Sequence, residues 1–249
     1  IGILPGIKVD TGAKPFSCHS NEKITEGLDN LPQRMEGYKS LGAKFAKWRA
    51  VITIGDDIPS TACMIANSHA LARYASICQE VDIVPIVEPE VLMDGPHNIQ
   101  ECFDVTNKMQ SILFEELDKL DISLSGIILK PNMITSGSVC KIKSSSEEIA
   151  ELTVRCLGNN VPIEVPGIAF LSGGQSDTEA SINLNNINKL NDNPWKVTFS
   201  YGRALQLEAM KKWNGNNHNN LDAQKIISKR AHMNSLASTG QYNLSMEND

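Results

Sequence analysis

Six short apolar runs recur along the chain at similar intervals, and each ends in a polar or charged residue. A loop and a segment of helical character follow every run. The runs are Gly6–Asp10, Phe45–Arg49, Ile86–Glu90, Ile127–Lys130, Ala169–Ser172 and Val197–Tyr201. Strands that alternate with helices predict parallel βαβ units, because a parallel connection needs a crossover long enough to hold a helix.

The segments between the runs carry helix signals. Pro59-Ser60 precedes apolar residues at helical spacing, and residues 98–120 carry a similar stripe. Ser145 and Ser176 each have a glutamate three residues later, the pattern of a capping box. A last helix is expected over about 221–236, and a polar tail follows it.

Alternation alone fits both a doubly wound sheet and a barrel, but the strand ends favour the barrel. A doubly wound sheet gathers its ligand groups at one switch point. A barrel places them at the carboxyl ends of many strands. Because all six runs end in polar groups, the sequence predicts a parallel (β/α)8 TIM barrel, with residues 1–249 as a single domain.

Composition excludes several classes of protein. The 249 residues are 41% hydrophobic and carry a formal net charge of −6, which argues against a general nucleic-acid binder. No apolar run is long enough for a membrane span. The six cysteines form no CxxC pair, and the five histidines are scattered. Reduced thiols, no metal site and no cofactor are therefore expected.

The stretch "GIILKPNM" places Lys130 at the end of an apolar strand, directly before Pro131. In one interpretation the lysine stem packs on the sheet while its ammonium reaches water. In the other, a partly desolvated amine acts as a nucleophile toward a carbonyl. Lys47 ends an equivalent strand, and a second nearby cation would favour the nucleophile.

Two pairs of charged residues share strand faces. Lys47 and Arg49 are two residues apart, as are Glu88 and Glu90, so each pair points to one side of its strand. The four side chains form either a structural ion-pair network or a general acid/base set. Both interpretations remain open from the sequence.

Two adjacent units are suited to a phosphate. "FLSGGQS" places Ser172 and Gly173 at a strand-to-helix turn, and "SYGRA" repeats the arrangement with Ser200, Gly202 and Arg203. Barrel enzymes frequently bind phosphate with the loops after strands 7 and 8. The six units would therefore be strands 3–8, with two strands before Ile1, plus a C-terminal helix and a tail from about residue 240.

The residues resemble the class I, Schiff-base fructose-1,6-bisphosphate aldolases. The resemblance runs from Gly6 to about Gln206, with further similarity to about Gln241. It rests on these stretches, in family order: "GIKVD", "FAKWR", "LARYASICQ", "IVPIVEPE", "LKPNM", "FLSGGQS", "EASINLNNINK" and "TFSYGRALQ". The N-terminal third of the family pattern is lacking, so the chain is expected to come from a longer protein.

The resemblance implies a role for each candidate. Lys130 would form the imine with C2 of the ketose, Glu88 would serve as the acid/base residue beside Glu90, and Lys47 would stabilise charge at the cleaved bond. The substrate would be held at its two ends by Lys8, Arg49, Ser172, Gly173, Ser200, Gly202 and Arg203. The reaction would be reversible cleavage of fructose 1,6-bisphosphate into dihydroxyacetone phosphate and glyceraldehyde 3-phosphate.

Other expectations accompany this resemblance. It implies a cytoplasmic homotetramer that acts on a phosphorylated sugar, binds neither nucleic acid nor membrane, and contacts a cytoskeletal protein. A related Schiff-base lyase such as a transaldolase is weaker, because two phosphate loops plus Lys8 suit a bisphosphate. The alternative from another class is a non-catalytic scaffold that binds cytoskeletal or other protein partners.

Overall fold

A six-stranded parallel sheet organises the protein in a computed structural model that describes residues 2–192 and 194–248. Its order is β1-β4-β5-β6-β7-β8, so each strand pairs with the next sheet strand along the chain. The strands are β1 Gly6–Lys8, β4 Phe45–Ile52, β5 Val84–Val91, β6 Ile128–Leu129, β7 Gly167–Phe170 and β8 Lys196–Phe199. The order does not reverse at any described strand, which contradicts the doubly wound alternative.

Seven α-helices accompany the sheet within the described residues. None of them is both long and apolar enough to cross a membrane. They are α1 Leu31–Ser40, α2 Thr61–Glu80, α3 Ile99–Lys119, α4 Ser146–Asn160, α5 Asp177–Leu190, α6 Arg203–Trp213 and α7 Asn220–Ala237. The expected helices over 98–120 and 221–236 are confirmed.

The serine signals for helix starts are largely confirmed. Ser60 is the N-cap of α2 and accepts a hydrogen bond from the Cys63 amide. At Ser176 both hydrogen bonds of a capping box are present. At Ser145 the hydroxyl accepts from the Glu148 amide, which is half of the predicted box. Each cap satisfies an amide that the first helical turn leaves free.

The connection between β1 and β4 contains an antiparallel hairpin that the sequence patterns did not predict. Its strands are β2 Gly12–Pro15 and β3 Lys23–Glu26. The buried Glu22 fastens the hairpin to α2, because its carboxylate accepts hydrogen bonds from the Ser60 amide at 2.6 Å and the Ser60 hydroxyl at 2.7 Å. The hairpin therefore packs beside the sheet rather than extending it.

Strand β4 separates the core from the polar face. Ala46, Trp48 and Ala50 are fully buried, and the Trp48 ring stacks on Tyr74 of α2 with 5.6 Å between ring centroids. Lys47 and Arg49 alternate with them and point to the opposite face. The packing of one face against the helices thus fixes the direction of the charged side chains on the other.

The segment after α7 packs against the body of the protein. Tyr242 is buried, and residues Leu244–Asn248 form a short 3-10 helix. Arg230 of α7 binds both carboxylate oxygens of Glu247, at 2.7 and 2.8 Å. The Tyr242 hydroxyl also donates to Glu247, at 2.6 Å. This segment is the polar tail expected from about residue 240, and it is tied down at Glu247.

Candidate active site

Lys130 lies one residue beyond β6 and is buried beside a carboxylate. Its backbone amide continues the ladder by donating to the Val87 carbonyl at 2.8 Å. Its ammonium nitrogen lies 2.8 Å from Glu88 Oε1, and the residue is only 7% exposed. The interpretation in which the ammonium reaches water is therefore wrong.

One carboxylate bridges two amines. Glu88 Oε2 lies 2.6 Å from the Lys47 ammonium, while Oε1 binds Lys130. The parallel pairing of β4 with β5, in register from Lys47 opposite Ile86 to Arg49 opposite Glu88, brings these groups together. Three candidates named separately from the sequence, Lys47, Glu88 and Lys130, therefore lie together at neighbouring strand ends.

Arg49 and Glu90 form a second ion pair next to the first. The Arg49 Nε donates to Glu90 Oε2. This hydrogen bond is the main reason that the pKa of Arg49 is raised above its ordinary value. Burial lowers the pKa in part, and the charges of Glu88 and Asp10 raise it slightly. The ion-pair network considered from the sequence therefore exists, and it contains the residues of the acid/base interpretation.

Asp10 is a member of the site that the sequence analysis did not single out. It follows β1, and its carboxylate is 2% exposed. Oδ1 lies 2.6 Å from the Lys8 ammonium, and Oδ2 accepts from the Arg49 amide at 3.3 Å. The signal was present in the spacing, because Lys8 and Asp10 are two residues apart on one extended segment.

Asn132 was also missed, although it lies within the quoted "KPNM" stretch. Its side-chain oxygen accepts from the Val91 amide at 3.0 Å, and its NH2 group donates to the Thr106 hydroxyl and the Met133 carbonyl, both at 3.1 Å. Pro131 has no amide to donate. The Asn132 side chain therefore connects the two segments where the β5–β6 ladder has ended.

The glycine turn after β7 adopts the conformation that its sequence suggests. Gly173 and Gly174 have φ values of 55° and 87°, which side chains rarely tolerate. Ser172 is buried just before them, and the Leu171 amide donates to the Pro131 carbonyl at 3.2 Å. The turn therefore lies next to the segment that carries Lys130.

The turn after β8 is its neighbour in the sheet. The Ser200 amide donates to the Phe170 carbonyl at 2.8 Å, which extends the β7–β8 pairing. Gly202 is the N-cap of α6, and Arg203 is its exposed first residue. Arg203 lines a cleft of about 440 Å³ together with Gly174 and Ser176. The two predicted phosphate loops are therefore adjacent.

The site is a cluster of four cations and three carboxylates. The cations are Lys8, Lys47, Arg49 and Lys130, and the carboxylates are Asp10, Glu88 and Glu90. An amine in such a cluster can attack a carbonyl if a neighbouring carboxylate moves the protons. No group of three His, Cys, Asp or Glu residues that could hold a metal is found within residues 2–192 and 194–248. The six cysteines are unpaired.

Comparison with known proteins gives one consistent family. The whole chain, residues 1–249, matches the family described as fructose-bisphosphate aldolase class-I (glycolytic). A protein of Xanthomonas axonopodis pv. citri named "Probable fructose-bisphosphate aldolase class 1" is 52% identical over 242 residues, which are 97% of this chain and 72% of that protein. Fructose-bisphosphate aldolase C of Rattus norvegicus is 51% identical over 242 residues, which are 97% of this chain and 67% of that protein.

A solved structure agrees with these relatives. Fructose-bisphosphate aldolase from Plasmodium falciparum, in a complex with TRAP and a small-molecule inhibitor, superposes with a TM-score of 0.95 at 48% identity. The match covers 97% of this chain and 70% of that one.

Proposed function

This chain belongs to the class I fructose-bisphosphate aldolase family, and we propose that it cleaves fructose 1,6-bisphosphate reversibly through a Schiff base on Lys130. The relatives are named aldolases, which are carbon–carbon lyases. The observation that carries the proposal is the buried carboxylate of Glu88, which contacts the amines of both Lys130 and Lys47. A nucleophilic amine and a partner for its protons are thus already in contact.

The proposed reaction begins with imine formation. The Lys130 amine attacks C2 of the ketose, and the carbinolamine loses water to give a protonated imine. Glu88 carries the protons of this step, because its carboxylate contacts the Lys130 amine. The imine then accepts the electron pair of the C3–C4 bond while the C4 hydroxyl loses its proton, so glyceraldehyde 3-phosphate leaves. Protonation at C3 and hydrolysis by one water release dihydroxyacetone phosphate and restore the amine.

Lys47 and Glu90 complete the catalytic set in this proposal. Lys47 stabilises negative charge that develops near the cleaved bond, since its ammonium shares the Glu88 carboxylate with Lys130. Glu90 holds the Arg49 guanidinium in place at the neighbouring position. Both assignments follow from the contacts together with the family resemblance.

The two phosphates lie on opposite sides of Lys130 in this proposal. Gly173 and Gly202, with Ser172, Ser200 and Arg203, bind the C1 phosphate at the turns after β7 and β8. Lys8 and Arg49 bind the other end of the sugar from β1 and β4. The sheet order supports this division, because β6 lies between the two sets of strands.

Further proposals concern the complete barrel, the cellular location and the oligomeric state. The six parallel strands serve as strands 3–8 of an eight-stranded barrel, and the chain forms a single domain. Its natural setting is the cytoplasm, and its assembly is a homotetramer. Family membership supports these proposals, and the unpaired outer edges of β1 and β8 within the described strands support the first of them.

A protein-binding role is the second candidate. One comparison raises it, since the similar aldolase of Plasmodium falciparum was solved in a complex with TRAP, but that protein is itself named an aldolase. In a pure scaffold the Lys130–Glu88–Lys47 cluster would have no use, and burying the charges of Lys130 and Glu88 is costly. We therefore favour catalysis over a scaffold that binds a cytoskeletal or other protein.

A trapping experiment tests the catalytic proposal. The protein is incubated with dihydroxyacetone phosphate, reduced with borohydride and mapped by peptide mass spectrometry, with EDTA present throughout. A stable adduct on Lys130, absent from the Lys130→Met variant, is the expected result. An adduct confined to other lysines, or cleavage that EDTA abolishes, would contradict the Schiff-base mechanism.

A further inference from the structure

Asp10 is the most fully engaged carboxylate at the strand ends. Its side chain is 2% exposed and makes three contacts. Oδ1 binds the Lys8 ammonium at 2.6 Å and accepts from the Gly12 amide at 3.0 Å, and Oδ2 accepts from the Arg49 amide at 3.3 Å. Asp10 is therefore fixed to both β1 and β4, and nothing in the catalytic sequence above uses it.

The Lys8 side chain, in contrast, is half exposed and depends on Asp10 for its position. Its solvent exposure is 50%, which leaves a long, flexible side chain free to sample many rotamers unless something holds it. The ammonium donates to the Asp10 carboxylate at 2.6 Å and to the Asp10 carbonyl at 2.9 Å. An ammonium has three donors, so one N–H remains for a ligand.

The location of Lys8 gives this arrangement its significance. In the sheet, β1 is separated from β6 by β4 and β5, whereas β7 is adjacent to β6. Neighbouring strands lie about 4.8 Å apart. Because β1 and β7 lie on opposite sides of β6, Lys8 is on the far side of Lys130 from the glycine turns. In the proposed function, a ligand with one phosphate at those turns leaves Lys8 unused, whereas the second phosphate of a bisphosphate is directed toward it.

We propose that Asp10 is a positioning residue that sets the preference for bisphosphates over monophosphates by holding the Lys8 ammonium at the second phosphate. The inference rests on the proposed function and extends it to a residue that touches no substrate. Asp10 acts through the Lys8 ammonium: it orders the lysine before the ligand binds, so that a second phosphate meets a fixed cation. The first phosphate, on the other side of Lys130, does not depend on it.

Competition against imine trapping measures this preference without any cleavage. Dihydroxyacetone phosphate and borohydride label Lys130, and two carbonyl-free competitors slow the labelling: mannitol 1,6-bisphosphate and mannitol 1-phosphate. The variant is Asp10→Asn, whose single side-chain oxygen can take the Oδ1 position and still accept from the Gly12 amide, but which lacks the negative charge that pairs with Lys8. The matched control is Asp82→Asn, because Asp82 binds Lys39 at 2.9 Å on the exposed surface. Both variants are made in the full chain.

The expected result is a selective loss. In Asp10→Asn the inhibition constant of the bisphosphate rises about tenfold, as for the loss of one charge-assisted hydrogen bond, while that of the monophosphate changes less than twofold. Asp82→Asn changes neither constant. A residue with only a structural role would weaken both competitors equally, and that outcome overturns the inference.

A double-mutant cycle tests whether Asp10 acts through Lys8. In Lys8→Met, adding Asp10→Asn is expected to produce no further loss of bisphosphate affinity, because the two residues act as one unit. Additive losses would show that Asp10 acts by another route and would also overturn the inference. If Lys130 of the unmodified protein is not labelled at all, the proposed function itself fails, so the two failures are distinguishable.

Discussion

The side-chain oxygen of Asn132 accepts a hydrogen bond from the backbone amide of Val91 at 3.0 Å. This contact joins the residue after Glu90 to the second residue after Lys130. The β5–β6 ladder itself contains only the pairs Ile86–Ile128 and Val87–Leu129. Beyond the hydrogen bond from the Lys130 amide to the Val87 carbonyl, a side chain thus maintains the spacing between the segments that carry Lys130 and the two glutamates.

Replacing Asn132 with leucine is expected to weaken both the fold and the site. The Val91 amide would be left buried without an acceptor, which costs about 1–3 kcal/mol of unfolding free energy. Urea unfolding measures that loss, and the rate of borohydride trapping reports the displacement of Lys130. Asn159→Leu is the control, because the side chain of Asn159 is exposed and donates a hydrogen bond to Asn107 on the surface. Trapping at the unmodified rate in Asn132→Leu would contradict the positioning role.

Replacing Glu88 with glutamine should abolish most turnover. The amide cannot carry protons and cannot neutralise the two ammonium groups that the carboxylate bridges. We expect kcat for fructose 1,6-bisphosphate to fall by about 10²–10⁴-fold, the usual contribution of a general acid/base. Glu208→Gln removes an exposed glutamate paired with Lys211 and should change kcat little. A decrease of less than tenfold in Glu88→Gln would argue against this assignment.

His97 should make stability dependent on pH. It is buried, and burial lowers its pKa below 6.5 despite the opposing charges of Glu101 and Asp94. The folded protein therefore binds fewer protons than the unfolded chain just below pH 6.5. Its stability is full above that pH and falls as the pH drops toward the lowered pKa, by at most about 1.4 kcal/mol per pH unit.

The His97 effect can be isolated by comparing variants. Urea unfolding from pH 7.5 to 5 should show a smaller loss of stability in His97→Gln than in the unmodified protein. His232→Gln, which removes an exposed histidine of α7, should retain the full loss. Equal pH dependence in the His97→Gln variant and the unmodified protein would rule out this source.

The cysteines should differ sharply in reactivity toward iodoacetamide at pH 8. Burial raises the pKa of Cys63 to about 11 and that of Cys78 and Cys156 to about 12, and it also raises the pKa of Cys102. Cys18 is exposed. Because the thiolate is the nucleophile, peptide mapping should find Cys18 alkylated first and these four only after urea is added. Early labelling of any of the four in native protein would contradict the buried packing.

The strand ends could be predicted from the sequence because two simple regularities operate there. Alternation on β4 and β5 fixes which of Lys47, Arg49, Glu88 and Glu90 share a face. Parallel pairing then brings the carboxyl ends of consecutive strands together, which is why Lys130 joins them. The helix caps at Ser60 and Ser176 were predictable for a similar reason, since each depends on residues close in sequence.

The remaining features depend on contacts between segments that are distant in sequence. The hairpin of Gly12–Pro15 and Lys23–Glu26 has no clear apolar alternation, and its anchor joins Glu22 to Ser60. In the sequence Asn132 is an ordinary polar residue, because its role depends on the contact with Val91, 41 residues earlier in the chain. The spacing of Lys8 and Asp10 was visible in the sequence, but the burial of Asp10 against the Arg49 amide was not, because Arg49 belongs to another strand.

The Arg230 contacts link the end of the chain to the glycine turn. Arg230 binds Asp177, the first residue of α5, at 3.1 Å and also holds Glu247. The turn and the terminal segment thus belong to one thermodynamic cycle. A ligand that changes how Asp177 binds Arg230 therefore changes how strongly Glu247 is held, and a substitution of Glu247 changes the affinity for that ligand by the same coupling free energy. The order of the Leu244–Asn248 segment becomes a reporter of occupancy at the loop after β7.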